Sequence, residues 1–268
     1  MTEQTARTPI STLSAVRYHV PLRQGGSLPA VVETDNDKLY VMKFLGAGQG
    51  AKALIAELVA GEIARALDLR IPEIVFITLD PNLPLSEPDP EIQDLLKASI
   101  GLNFGIGFLP EALEYNMLST PKPDPYYASK IVWFDAYTLN IDRTPRNVNL
   151  LKWEDHLWLI DHGASLYFHH NWPGYENYIR SPFPMIRDHT LLPFANHLRQ
   201  ADDQVRNLLT DKQLRIIVDM IPDEWLSGDD YFSSHDDYRS AYFDFLRERR
   251  DHSGVFIQEA EHVRQAQL

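Results

Sequence analysis

Two short stretches carry the side chains best suited to chemistry: Asp142-Arg143-Thr144-Pro145-Arg146-Asn147 and Ile160-Asp161-His162-Gly163. An Asp with an Asn five positions later can divide the work of phosphoryl transfer. The Asp accepts a hydroxyl proton and aims the nucleophile, and the Asn holds Mg²⁺. A second Asp directly after an apolar run, with Gly two positions on, fits a metal-binding carboxylate at the head of a turn. Mg²⁺ takes hard oxygen ligands in near-octahedral geometry, so Asn147 and Asp161 would supply two, with ATP phosphates and water completing the shell. Each half of the pattern is common alone, because Asp, Asn and Pro also shape ordinary turns. Weight comes from the combination with a strand hairpin between the halves and a lysine upstream.

That lysine is Lys43, within Val41-Met42-Lys43-Phe44. A lysine there can reach ATP phosphates if a carboxylate holds it, although an edge-strand lysine facing water would look the same. The apolar repeat over residues 51–67 predicts a helix with two candidate carboxylates, Glu57 and Glu62. On a helical wheel Glu62 falls within the apolar stripe and Glu57 at its flank. A core-facing carboxylate needs a partner, so periodicity alone favours Glu62. The glycines of Gln24-Gly25-Gly26-Ser27 would let backbone N–H groups approach phosphates, as would those of a plain turn.

The elements that must position these groups follow in order. Strands are expected at 30–34 and 39–44 around a turn at 35–37, with weaker alternation at 16–20. A strand at 73–79, a short helix at 92–98 and a glycine-spaced strand or connector at 103–110 come next. A helix over 127–139 leads into a loop at 141–147 and two short strands, 149–151 and 157–160, around Glu154-Asp155. Residues 162–190 show no regular period, and helical patterns return at 193–200, 202–209, 211–220 and 236–250. The order predicts an α+β protein: a small β-rich lobe with one key helix over residues 1–110, a larger helical lobe over 111–268, and a cleft between them.

Composition narrows the function classes. With 268 residues, 44% of them hydrophobic, the chain can bury a sizeable core. It has no cysteine, which excludes disulfides, thiolate metal sites and thiol nucleophiles and suits a reducing cytoplasm. No apolar run is long enough to span a membrane, and the first residues lack a signal-peptide pattern. A net charge of -13 disfavours nucleic acid as a partner. It also means that an ATP site needs Mg²⁺ and placed cations to reverse the local field.

The segments GGSLPAVVE (25–33), YVMKF (40–44), ALIAELVAGEIARALDLRIPE (53–73), IDRTPRNVNLL (141–151) and LIDHGASLYFHH (159–170) resemble the HipA-like kinases. The nearer likeness is to a compact bacterial branch without the long N-terminal extension. The resemblance implies a two-lobed protein-kinase-like fold and Mg²⁺-ATP binding. It implies Lys43 on the phosphates, Asp142 as catalytic base, and Asn147 and Asp161 as metal ligands. It sets the family's helix glutamate at Glu57, against the wheel argument for Glu62. Gly25, Gly26 and Ser27 would cover the nucleotide, and Gly105 to Leu109 would form the hinge, with Gly107, Phe108 and Leu109 at the adenine. Ala56 departs from the Asn common in the family helix, and His162 from the small or aromatic residue after the metal Asp.

The resemblance points to a protein Ser/Thr acceptor. A small-molecule kinase acting on a cationic alcohol, or a nucleotide-binding pseudokinase serving as an interaction module, are the alternatives. Ser165, Ser181 and Thr190 lie in the expected activation region. His162, His169 and His170 read as aromatic packing rather than a metal site. Arg143 and Arg146 are expected to hold a phosphate, to meet the acidic surface or to be solvated.

Overall fold

The computed structural model describes residues 9–22, 28–82, 88–228 and 230–267. Contacts divide the chain into two compact units, Met1–Gly50 with Pro72–Phe108 and Ala51–Ile71 with Leu109–Leu268. The long helix α1 (Gly50–Ala66) thus groups with the second unit, whereas the sequence reading counted it with residues 1–110.

The first unit holds β1 (Thr12–Pro21), β2 (Ala30–Thr34), β3 (Leu39–Lys43), β4 (Ile74–Leu79), helix α2 (Pro90–Ala98) and β5 (Gly101–Gly107). The strands run β1-β2-β3-β5-β4 and close into a barrel, where the expectation was a small β-rich lobe. Closure depends on β1. Its register against β2 shifts between Ala15 and Arg17 and again between Tyr18 and Val20, and such bulges bend and twist a strand. Its first residues therefore pair in parallel with β4, Thr12 opposite Phe76. The same bulges explain why alternation over 16–20 is weak in the sequence.

Period-two patterning fills the barrel. Ala30 and Val32, Tyr40 and Met42, and Val75, Ile77 and Leu79 form a buried core together with Phe44 and Leu96. Gly105 stands between Met42 and Val75 in the ladder. A Cβ there would lie 2.4 Å from Ile77 Cδ1, so the space is already taken. At the end of β3, buried Asn103 accepts the Leu45 N–H (2.8 Å) and donates to the carbonyls of Ser99 (2.8 Å) and Gly101 (3.1 Å). These bonds fasten the exit of β3 to the C-terminus of α2.

In the second unit, residues 54–64 of α1 are buried all round rather than along one stripe. Asp68 takes a left-handed turn (φ 55°) to end that segment. Arg70 then docks on later elements: its N–H donates to the Tyr127 hydroxyl (2.9 Å) and its carbonyl accepts the Leu159 N–H (2.8 Å). After β6 (Leu113–Glu114), α3 (Pro125–Thr138) starts at Asp124, whose carboxylate accepts the Tyr127 N–H (2.8 Å), and ends at left-handed Leu139. β7 (Leu150–Trp153) and β8 (His156–Leu159) form a hairpin around Glu154 and Asp155, both with positive φ, as a two-residue turn of primed type requires.

Short 3₁₀ turns fill much of 162–194, where no period was legible. Helices α4 (Leu198–Leu208), α5 (Asp211–Asp219), α6 (Asp223–Leu226), α7 (His235–Asp251) and α8 (Gly254–Ala266) complete the unit. Of the helix expected at 193–200, only 198–200 is α-helical and runs on through the one expected at 202–209 as α4, while 193–194 lie in a 3₁₀ turn; the short α6 and terminal α8 have no counterpart among the expected elements. Arg249 of α7 is buried and donates to the carbonyls of Ala136, Tyr137, Tyr178, Ile179 and Ser181. Burial pushes its guanidinium down to about 9. Among the described residues no helix is long and apolar enough to cross a membrane.

The crowding at Gly105 gives a direct test. Gly105→Ala should destabilise the protein by about 1–3 kcal/mol through overpacking. Ile77→Val in the same chain removes the Cδ1 it strikes and should recover part of that loss, as measured by denaturant midpoints. Additive losses in the double variant would contradict the stated contact.

Candidate active site

The β7–β8 hairpin explains how residues distant in sequence reach one place. Its strands pair Leu150 with Leu159, and the Ile160 N–H donates to the Asn149 carbonyl (3.2 Å) as a last rung. The open end of the hairpin therefore carries Asn147 on the incoming side and Asp161 on the outgoing side. Asp161 adopts a left-handed conformation (φ 56°), which Asp tolerates better than most residues. Such strained positions concentrate at functional sites.

Within the loop, Asn147 Nδ2 donates to Asp142 Oδ2 at 2.6 Å. With its nitrogen so engaged, the Asn147 amide directs its oxygen away from Asp142. A tight turn holds the pair: Thr144 and Asn147 exchange both backbone hydrogen bonds (3.0 and 3.1 Å). The Asp142 N–H donates to Asn140 Oδ1 at 3.1 Å. Asp142 is half-buried and Asn147 exposed, so both are reachable.

Beneath the loop lies a buried network that sequence reasoning missed. Arg143 was expected at a phosphate, at the acidic surface or in solvent; it is 1% exposed. Its Nε donates to Asp135 Oδ2 (2.6 Å), and its other nitrogens reach the carbonyls of Asn149 and Ile160 and the His162 Nδ1 (3.3 Å). Asp135, on α3, also accepts from Asn140 Nδ2 (2.8 Å) and His189 Nε2 (2.8 Å). The Leu191 N–H donates to His189 Nδ1 (3.0 Å), so the ring hydrogen sits on Nε2. Burial by itself would raise the Asp135 carboxyl, but the Arg143 charge and the His189 hydrogen bond outweigh it and hold the group well below the usual carboxylate range. The signal available in the sequence was an Asp following the apolar run Ile131-Val132-Trp133-Phe134 within a helix.

The two helix glutamates separate clearly. Glu62 Oε1 meets Arg65 at 2.7 Å, one turn along α1. Glu57 Oε1 lies 3.1 Å from where a Cβ on Gly163 would stand, and Asp161 Oδ1 lies 3.7 Å from the same point. Gly163 thus lets two carboxylates approach the turn after β8, creating negative potential suited to a cation. Among the described residues no group of three or more His, Asp or Glu is arranged to hold an ion unaided. The hard-oxygen pair Asn147 and Asp161 fits an ion that draws its remaining ligands from a nucleotide and water.

In the first unit, Lys43 lies on β3 between β2 and β5, opposite Phe104, and is only 7% exposed. It is not an edge-strand lysine in water. At the expected hinge, the Gly107 N–H donates to the Glu73 carbonyl (2.8 Å) and the Phe108 N–H to the Leu39 carbonyl (3.1 Å). Gly25, Gly26 and Ser27 lie outside the described residues. Of the three histidines, His162 packs edge-on to Phe134, His169 bonds the Tyr242 hydroxyl (2.8 Å), and His170 is exposed. Ser165 and Thr190 are fully buried, while Ser181 is half-exposed.

The sequence matches the HipA-like kinase family over residues 16–252. The chain belongs to that family and is a phosphotransferase by kinship. A comparison with curated proteins found no match. Among solved structures, a Helicobacter pylori proinflammatory kinase, CtkA, superposes with a TM-score of 0.59 at 13% identity, over 95% of this chain and 98% of that one. This likeness speaks to the fold, which is kinase-like and mixed α/β with a helical C-terminal part. A Golgi casein kinase with Mn/ADP bound overlaps more loosely, with a TM-score of 0.48, 14% identity, and 98% and 76% of the two chains covered. A second Golgi casein kinase structure gives 0.45 at 13% identity over 95% and 73%.

Asp135 makes stability depend on acid in a predictable direction. Its folded-state pKa lies below the ordinary value of 3.8, so below that pH the unfolded chain takes up a proton the folded chain refuses. Its contribution is complete at neutral pH and lost as pH falls through the acid range. Denaturant midpoints should drop more steeply below about pH 4 in the wild type than in Asp135→Asn. Parallel curves would refute the assignment.

Proposed function

We propose that this chain transfers the γ-phosphoryl group of Mg²⁺-ATP to a hydroxyl, most simply a Ser or Thr of a protein. The observation that carries the reading is the Asp142–Asn147 bond of 2.6 Å at the open end of the hairpin that also delivers Asp161. Asp142 Oδ2 is engaged by Asn147, and its other oxygen is the one to accept the proton of the attacking hydroxyl. Asn147 Oδ1 and Asp161 would hold Mg²⁺, which neutralises phosphate charge when bound. Lys43 supplies a cation for the phosphates. Glu57, at the turn of Asp161 and Gly163, is the helix carboxylate of the site, since Glu62 is committed to Arg65. Gly107, Phe108 and Leu109 would lie at the adenine, with the Gly107 and Phe108 N–H groups held by the Glu73 and Leu39 carbonyls. A cytoplasmic location, where ATP is plentiful and thiols stay reduced, suits this chemistry and the absence of cysteine.

Two variants test the roles separately. Asp142→Ala should lower transfer by at least about 10²-fold with little change in Mg²⁺-ATP affinity, because the base acts on the acceptor. Unchanged turnover would reject it as base. Asp161→Ala should abolish most of the thermal stabilisation that Mg²⁺-ATP confers; an undiminished shift would remove it from the metal site. Labelled ATP offered with protein acceptors and with cationic alcohols, side by side, distinguishes a protein kinase from a small-molecule kinase.

A further inference from the structure

We infer that Asp135 is the positioning residue of the catalytic loop, acting on the reacting groups through Arg143 and Asn140. This rests on the proposed roles of Asp142, Asn147 and Asp161. One buried carboxylate governs the chain around all three. Through Oδ1 it holds Asn140 (2.8 Å), whose own oxygen accepts the Asp142 N–H (3.1 Å). Through Oδ2 it holds Arg143 Nε (2.6 Å), and Arg143 NH1 bonds the carbonyls of Asn149 and Ile160. Those two carbonyls flank the open end of the hairpin, one just before β7 and the other just after β8, so the guanidinium clamps the end that sets Asn147 against Asp161.

Two further bonds extend the reach. Arg143 NH2 contacts His162 Nδ1, next to Asp161, at 3.3 Å. The Arg143 carbonyl accepts the Thr190 N–H (3.0 Å), and His189 donates to Asp135 (2.8 Å). The segment around 184–194 is therefore tied to the same carboxylate. An Asn at position 135 offers one acceptor oxygen to donors that now share two, and leaves a buried guanidinium without a counter-charge. Positions of catalytic groups set rate steeply, so loosening the clamp acts on turnover more than on nucleotide binding.

The test separates positioning from simple stability. Asp135→Asn should lower Tm by on the order of 10 °C, because the buried charge loses its partner. Adding Arg143→Met removes that charge and should restore much of the Tm. Positioning predicts that the double variant still has kcat on the order of 10²-fold down, with Mg²⁺-ATP affinity within about threefold of wild type. A double variant that regains both Tm and kcat overturns the inference. If the double variant does not fold, Asn140→Ala decides: kcat at least about tenfold lower with KM for ATP unchanged supports the relay, and unchanged kcat overturns it. Asp142→Ala is run alongside. Retained activity there faults the catalytic reading itself, whereas an inactive Asp142→Ala beside a fully active double variant faults only the role of Asp135.

Discussion

A charged pair sealed from water, Asp135 with Arg143, is the constraint around which the second unit is arranged. Breaking such a pair by removing one partner typically costs about 3–5 kcal/mol, because the survivor is left charged in a medium that cannot solvate it. The fold therefore has to bring donors to Asp135 and acceptors to Arg143, and it does so from four places. Helix α3 presents the carboxylate, the 140–149 loop brings Asn140 and the arginine, the hairpin offers two carbonyls, and His189 arrives from the 3₁₀ segment. The loop carrying Asp142 and Asn147 is consequently held from beneath while its upper side stays accessible. Arg249 plays a comparable structural part deeper in the unit, where it donates to five backbone carbonyls and burial pushes its guanidinium down.

The first unit solves a different problem. Five short strands around a small apolar interior leave little room for error, and a closed barrel removes the exposed edges an open sheet would show. The bulges in β1 and the missing side chain at Gly105 both serve closure, one by bending a strand and the other by making room for Ile77. Lys43 sits on the central strand of the order, paired on both sides, while Tyr40 and Met42 of the same strand join the barrel core.

Much of this was readable from residue types. The hairpin of β2 and β3, the helix at 50–66 and the turn at Glu154-Asp155 each follow local rules, and the structure places them within one or two residues of expectation. Where local rules were silent, reading stopped. Residues 162–194 are built of 3₁₀ turns too short to show a period. The barrel's closure depends on pairing between β1 and β4, some sixty residues apart, which alternation within either strand does not encode. Helix α1 is buried around its whole circumference, Glu57 and Glu62 included, so an apolar stripe does not by itself separate the two glutamates.

The sequence by itself determined the proposed reactive set: an Asp and an Asn at fixed spacing, a second Asp two residues before a glycine, and a lysine in an apolar strand. Those letters are chemistry, and their spacing along the chain survives any fold. Only the tertiary structure decided which charges are buried in pairs and which stay accessible. Arg143 and Asp135 read as ordinary charged residues until burial shows them paired, and Glu57 parts from Glu62 only when Gly163 and Arg65 take their places beside them. The physical reason is that a charge's role depends on its distance from partners and from water, and neither distance is written in the order of residues.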